Sequence, residues 1–203
     1  MTQNNPYLIG LTGGIACGKS NLSEALKNNG VLVIDADEIA RDISKPGGEA
    51  LPGIRQIFGG GVFDGEALNR AKLAGEVFGK PEKISKLNAI MHPLIFAEME
   101  SQIKSNRYLP ALVADVPLLY ETGFDRRCDE VWCALAPREE QVKRLLRRGL
   151  SLEEANLRID SQMPAEEKAR RADHVIKTTG DKEDSARAVL MLWQETIRRL
   201  LHG

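Results

Sequence analysis

Short apolar runs alternate along this chain with stretches whose apolar residues recur every three or four positions. Leu8 to Thr12 reads as a buried strand, and Val31 to Ile34, Ala111 to Val116, Glu130 to Ala136 and His174 to Lys177 as four more. Between them the spacing predicts helices over Lys19 to Asn28, Arg138 to Arg148, Ser151 to Ser161 and Ala165 to Ala172. Gly30 closes the first of these, and Ser151 with Glu154 has the spacing of a capping box. From Asp181 to Leu201, Ala186, Val189, Leu190, Trp193, Ile197 and Leu200 share one helix face, which assigns Trp193 to core packing.

Strands alternating with helices imply an α/β fold with a parallel sheet covered on both faces. Two stretches stand outside this plan. Pro46 to Gly65 is rich in Gly and Pro and reads as irregular chain, and Arg144 to Arg171 reads as a charged helical hairpin with little apolar content. Neither adds a sheet strand. Each is placed as an insertion over the strand ends, where α/β proteins bind ligands.

Composition narrows the class. The 203 residues are 42% hydrophobic and 28% charged, ordinary for one globular domain. With 28 basic and 29 acidic residues the formal charge is −1, so there is no general pull toward nucleic acid or anionic membrane. Cys17, Cys128 and Cys133 are odd in number and lack metal-ligand spacing, which points to reduced thiols in a cytoplasmic protein. Met1 to Pro6 is polar and unlike a signal peptide, and the best apolar run, Ala111 to Tyr120, is interrupted by Asp115 and Pro117.

The chemistry begins at Gly13-Gly14-Ile15-Ala16-Cys17-Gly18-Lys19-Ser20, a full G-x-x-x-x-G-K-[ST] phosphate loop between a strand and a helix. Glycines let successive N–H groups turn toward phosphate, and the helix N-terminus adds its dipole. Lys19 supplies charge for the outer phosphates, and the Ser20 hydroxyl is placed for Mg²⁺. At Cys17 the position needs a backbone donor rather than a thiol, although a helix N-terminus can lower a thiol pKa.

Asp35 and Asp37 follow the second strand. One carboxylate can serve near Mg²⁺ while the other accepts a proton from an attacking hydroxyl. For Asp37 the alternative is a helix N-cap, and Asp37 and Arg41 stand one turn apart, where they can pair. Asp115 ends the third strand, either as a metal-side acid or as a turn or ion-pair residue. Past Pro137 lies a basic cluster interspersed with glutamates and lacking aromatics, which disfavours a nucleic-acid surface. Arg144 stands out in it as an arginine placed to stabilise phosphoryl charge. His92, before Pro93, reads as structural or as part of a substrate pocket.

Taken in order, "LTGGIACGKS", "VIDADEIAR", "NAIMHPLI", "ADVPLLYETG", "RRGLSLEEANLRIDSQM" and "ADHVIKTTG" resemble the dephospho-coenzyme A kinase family, in the P-loop nucleoside-monophosphate-kinase-like group. The resemblance spans nearly the whole chain. It implies ATP-dependent phosphorylation of the ribose 3′-hydroxyl of dephospho-coenzyme A, with Mg²⁺, in the last step of coenzyme A synthesis. It implies a three-layer P-loop fold with a five-stranded parallel sheet: a core of residues 1–36, 109–143 and 172–203, a coenzyme-binding helical insertion over about 37–108 and a lid over about 144–171. By resemblance Asp37 is the general base, Lys19 the loop lysine and Arg144 the lid arginine. ATP would be held by Gly13, Gly14, Ala16, Cys17, Gly18, Lys19, Ser20 and Asn21, and metal by Ser20 and Asp115. Asp35, Arg41, His92, Leu118 and Glu121 are the candidate substrate-binding residues. The chain has Ala16, Cys17 and Asn21 where the family commonly has Gly, Ser or Ala, and Thr; it has Thr178 where the family often has Asn. The rival readings are a related small-molecule or nucleotide kinase, and a non-catalytic nucleotide-binding regulator. A GTPase switch would need an Asn-Lys-x-Asp motif that this chain lacks.

Overall fold

The computed structural model describes residues 5–202, so most of the polar N-terminal stretch lies outside the described residues. In chain order the first elements are β1 (Tyr7–Gly13), α1 (Lys19–Asn28), β2 (Val33–Asp35), α2 (Ala36–Asp42), α3 (Leu51–Phe58), β3 (Phe63–Asp64), β4 (Ala67–Leu68), α4 (Arg70–Val77) and α5 (Pro81–Ser105). There follow β5 (Ala111–Asp115), β6 (Glu130–Leu135), α6 (Arg138–Arg147), α7 (Leu152–Asp160), α8 (Ala165–Arg171), β7 (His174–Lys177) and α9 (Lys182–His202). Two compact units result, Met1–Ile34 with Ser105–Gly203, and Asp35–Lys104.

The first unit holds a five-stranded parallel sheet in the order β2-β5-β1-β6-β7. All five strands lie where the apolar runs place them. Strand β1 is central and its apolar side chains are buried, because strands flank it on both edges and helices cover its faces. Its register sets Leu11 beside Asp115 of β5 and beside Trp132 of β6, so the strand ends next to the phosphate loop line up across the sheet. Leu22 and Leu26 of α1 are fully buried in the same core as Ile9, Val113, Trp132 and Val189. Truncating either leucine to alanine would destabilise by about 2–5 kcal/mol. Gly30 ends α1 with a φ of 77°: its N–H reaches the Lys27 carbonyl at 3.1 Å, and the Val31 N–H reaches that of Leu26 at 3.1 Å. Trp193 packs partly buried against the core, as the periodicity of α9 requires.

Between α6 and β7 the expected charged hairpin consists of α7 and α8. Ser151 and Glu154 make the full capping box at the start of α7. Its apolar side is small but real: Ala155 and Ile159 pack with Leu145 and with Ala16 of the phosphate loop. Arg138 clamps the far end of α7, with Nη1 2.6 Å from Asp160 Oδ1 and Nη2 2.9 Å from Asn156 Oδ1.

The second unit corrects one expectation. Residues 46–65 are not irregular throughout, because α3 occupies Leu51–Phe58 and β3 pairs antiparallel with β4. Pro52 lies in the first turn of α3, where its missing N–H is harmless. Leu51 and Ile54 bury one face against Ala50, Val62, Phe63 and Leu73. Gly53, which argued against a helix, gives close access to Ile90: a Cβ there would lie 3.0 Å from Ile90 Cγ2. No helix among the described residues is long and apolar enough to cross a membrane.

Candidate active site

Strand β1 ends at Gly13 and α1 begins at Lys19, leaving the turn between them to form the phosphate loop. Gly13 is obligatory in this packing, because a Cβ would lie 2.8 Å from the Ala134 carbonyl oxygen. Gly18 has φ 82° and Ala16 has φ 59°, the left-handed region that a Cβ makes unfavourable. The outer side of the loop is braced. Arg144 Nη1 donates to the Ala16 carbonyl at 3.0 Å, Arg144 Nη2 to the Thr178 carbonyl at 2.6 Å, and the Thr178 hydroxyl to the Cys17 carbonyl. Arg144 Nε also reaches Glu140 at 3.3 Å.

Cys17 is buried in the sheet core, and its N–H donates to the Gly14 carbonyl at 3.1 Å. Burial pushes the thiol pKa up, in line with a position that serves through its backbone; desolvation outweighs the nearby backbone and Arg144. The Asn21 amide does not face the loop interior. It donates to the Lys182 carbonyl at 2.9 Å and the Ser185 hydroxyl at 3.1 Å, tying α1 to the start of α9.

Lys19 Nζ donates to Asp115, whose side chain is only 2% exposed. Of the two readings of Asp115, the ion pair is the one formed here. Ser20 is exposed at the second position of α1. Among the described residues no group of three or more His, Cys, Asp and Glu could hold a metal ion. Ser20 and Asp115 offer one hydroxyl and one carboxylate, a donor set that fits Mg²⁺, which takes its other ligands from substrate phosphates and water.

Beyond β5 the Pro117 carbonyl accepts from Thr12 Oγ1 at 3.2 Å and from Lys168 Nζ at 2.6 Å. Lys168 is fully buried and also pairs with Glu121 at 2.8 Å; Glu121 in turn accepts the Met163 N–H at 3.0 Å. Glu121 is thus held by α8 and the turn before it. Leu118 is half-buried, and its carbonyl accepts the Thr122 hydroxyl at 2.8 Å.

In the second unit Asp35 is the N-cap of α2, its carboxylate accepting the N–H of Asp37 and of Glu38. The cap therefore falls on Asp35, not on Asp37. Asp37 is exposed, and its carboxylate has no hydrogen bond or ion pair among the described residues. The expected Asp37–Arg41 pair does not form. Both side chains are exposed to water, where such a pair gains little. The Arg41 carbonyl accepts from Arg70 at 3.2 Å. His92 lies in α5 beside Pro93, stacked on Phe96 with ring centroids 5.8 Å apart; burial lowers its pKa.

Within the first unit, Gly13 to Ser20, Asp115 and Arg144 converge on the loop. Within the second, Asp35, Asp37 and Arg41 share α2, and His92 lies on α5. Sequence reasoning missed Lys168 and the bracing hydroxyl of Thr178. Ala165, Lys168 and Ala172 have the spacing of one helix face, a signal that Lys168 is turned inward. No local pattern marks Thr178, whose partners are far away in sequence.

Comparison with known proteins places nearly the whole chain among characterised folds and sequences. The family model for dephospho-CoA kinase matches residues 7–184. A dephospho-CoA kinase from Carboxydothermus hydrogenoformans is 44% identical over 193 residues, covering 93% of each chain. Among solved structures, dephospho-CoA kinase from Campylobacter jejuni superposes with a TM-score of 0.72 at 30% identity, covering 95% of this chain and 98% of that one. TT1252 from Thermus thermophilus gives a TM-score of 0.81 at 35% identity, covering 94% and 98%.

Proposed function

The chain belongs to the dephospho-CoA kinase family, and from that premise we propose how its residues divide the work. It is a kinase that takes dephospho-CoA as substrate and ATP as phosphoryl donor, in the final step of coenzyme A biosynthesis. The match does not favour the rival readings of another small-molecule kinase or a regulator.

In this reading the loop N–H groups of Gly13 to Gly18 cradle the ATP phosphates, and transfer runs in line to the ribose 3′-hydroxyl. Lys19 exchanges the Asp115 carboxylate for phosphate oxygens, so the cation passes from one anionic partner to another. Lys19 supplies positive charge directly to the transferring group, and Arg144 adds its charge from the loop carbonyls that it holds. Ser20 and Asp115 would hold Mg²⁺, which when bound neutralises charge on the phosphates. Asp37 takes the proton of the attacking hydroxyl. The observation behind that assignment is the capping of α2 by Asp35, which leaves the Asp37 carboxylate without a partner among the described residues. Residues of about 37–108 serve as the coenzyme-binding insertion, with Arg41 and His92 among its contacts, and residues of about 144–171 serve as the lid that excludes water. A cytoplasmic enzyme working without nucleic acid or membrane fits this biosynthetic role.

A coupled ATP-consumption assay with dephospho-CoA, adenosine and AMP offered separately tests the acceptor. Preference for AMP, or no acceptor-dependent turnover, would overturn it. For the base, Asp37→Asn should lower turnover about 10²- to 10⁴-fold with little change in KM for ATP. Undiminished turnover would remove Asp37 from the chemistry.

A further inference from the structure

A phosphate loop binds only if its peptide N–H groups face the phosphate. In a planar trans peptide the carbonyl points opposite to the N–H of the next residue. A loop carbonyl held on the outer side therefore turns an N–H to the inner side. Two such carbonyls are held here. Arg144 holds that of Ala16 at 3.0 Å, in the peptide whose Cys17 N–H closes the loop on the Gly14 carbonyl at 3.1 Å; the Thr178 hydroxyl holds that of Cys17, which orients the Gly18 N–H. The two braces are joined by the 2.6 Å bond from Arg144 Nη2 to the Thr178 carbonyl.

The brace is seated on the sheet, not on the loop. Thr178 is buried just after β7, and its N–H donates to the Leu135 carbonyl at the end of β6 at 3.0 Å. It fits closely: a Cβ on Gly18 would lie 3.1 Å from Thr178 Cβ and 3.2 Å from both Thr178 Oγ1 and Arg144 Nη1. The loop also needs holding, because Ala16 sits at φ 59°, where a residue with a Cβ is strained. An unbraced loop would relax by rotating that peptide, and the inward N–H groups would turn with it.

We propose that Thr178 is a positioning residue for ATP: its hydroxyl pins the Cys17 carbonyl outward, aims the Gly18 N–H at phosphate and, with Arg144, holds a loop strained at Ala16. The inference rests on reading residues 13–20 as the ATP-binding loop. It acts on the donor nucleotide and leaves the acceptor side alone.

Steady-state kinetics on five variants test it. Thr178→Val keeps the shape and removes the hydroxyl; Thr178→Ser keeps the hydroxyl. Thr178→Val should raise KM for ATP about 5- to 20-fold, leave KM for dephospho-CoA within about twofold, and be rescued by Thr178→Ser. In an Ala16→Gly background the effect should shrink, since the strain opposed by the brace is gone. Lys19→Met separates the inference from the reading beneath it. If Lys19→Met abolishes turnover while Thr178→Val leaves KM for ATP within about twofold, the brace is overturned and the loop assignment stands. Parallel rises in both KM values, failure of Ser to rescue, or an undiminished effect in the Ala16→Gly background would also overturn the brace. Normal turnover of Lys19→Met would remove the loop assignment and the inference together.

Discussion

The carboxylate of Asp35 accepts the backbone N–H of Asp37 at 2.9 Å, so the first acid of the pair is bound to the chain that carries the second. It also accepts the Glu38 N–H at 3.1 Å, satisfying two donors that a helix start leaves open. Asp35→Ala should therefore lower stability by about 1 kcal/mol, while Asp35→Asn, an equally good cap, should hold it. Urea unfolding of the two variants measures the difference. Equal losses would show that charge, not capping, is what Asp35 contributes to the fold.

The same pair shows where sequence reading stops. The two aspartates stand two residues apart, the residue type suits a cap at either place, and only the backbone path decides between them. The five strands and α1 were legible because buried parallel strands and amphipathic helices leave periodic marks within a few residues. Helix α3 was not, because Pro52 and Gly53 read locally as breakers, whereas Pro52 lies in a first turn and Gly53 faces Ile90. In the candidate site, Gly13 to Ser20 were legible as a motif. The partners of Lys19, Cys17 and Lys168 were not, since they come from strands and loops brought together only by folding.

Ala16 provides a stability test apart from kinetics. At φ 59° its Cβ opposes the backbone, and glycine would remove that opposition. Ala16→Gly gives back some entropy to the unfolded chain, so the net gain should be about 1 kcal/mol at most, or about 2–4 °C in Tm for a chain of this size. A lower Tm would mean that packing of the Ala16 methyl against Leu145, Ala155 and Ile159 outweighs the strain it carries.

Glu130, buried at the start of β6, makes the fold pH-sensitive at the strand ends away from the loop. Burial by itself would raise its pKa. Hydrogen bonds from Trp132 at 2.6 Å, Arg199 and Tyr7 at 3.0 Å override burial and hold the pKa below the usual glutamate value. His174 Nε2 lies 3.1 Å away on the same carboxylate. A carboxyl with a depressed folded pKa adds stability above its unfolded pKa, about 4.3, and loses it as pH falls through the folded value. Stability should drop on acidification below about pH 5, and Glu130→Gln should flatten that slope while lowering stability at neutral pH. Denaturation curves from neutral to acid pH would measure both. A slope unchanged by Glu130→Gln would place the acid sensitivity elsewhere.

Lys168 carries the last prediction, because a fully buried cation is stable only with its partners in place. Its ammonium joins α8 to the Pro117 carbonyl at 2.6 Å and to Glu121 at 2.8 Å. Lys168→Met would remove the cation and leave the Pro117 carbonyl without its 2.6 Å donor, while Glu121 keeps water and the Met163 N–H, at a loss of about 1–3 kcal/mol. Glu121→Leu should cost less in that background than it costs alone, since the ammonium it paired with is already gone. The cycle is read by urea unfolding of the two single variants and the double. Strict additivity would mean that Lys168 and Glu121 act independently. Coupling above about 1 kcal/mol would mean that this pair is one of the contacts holding α8 to the segment after β5.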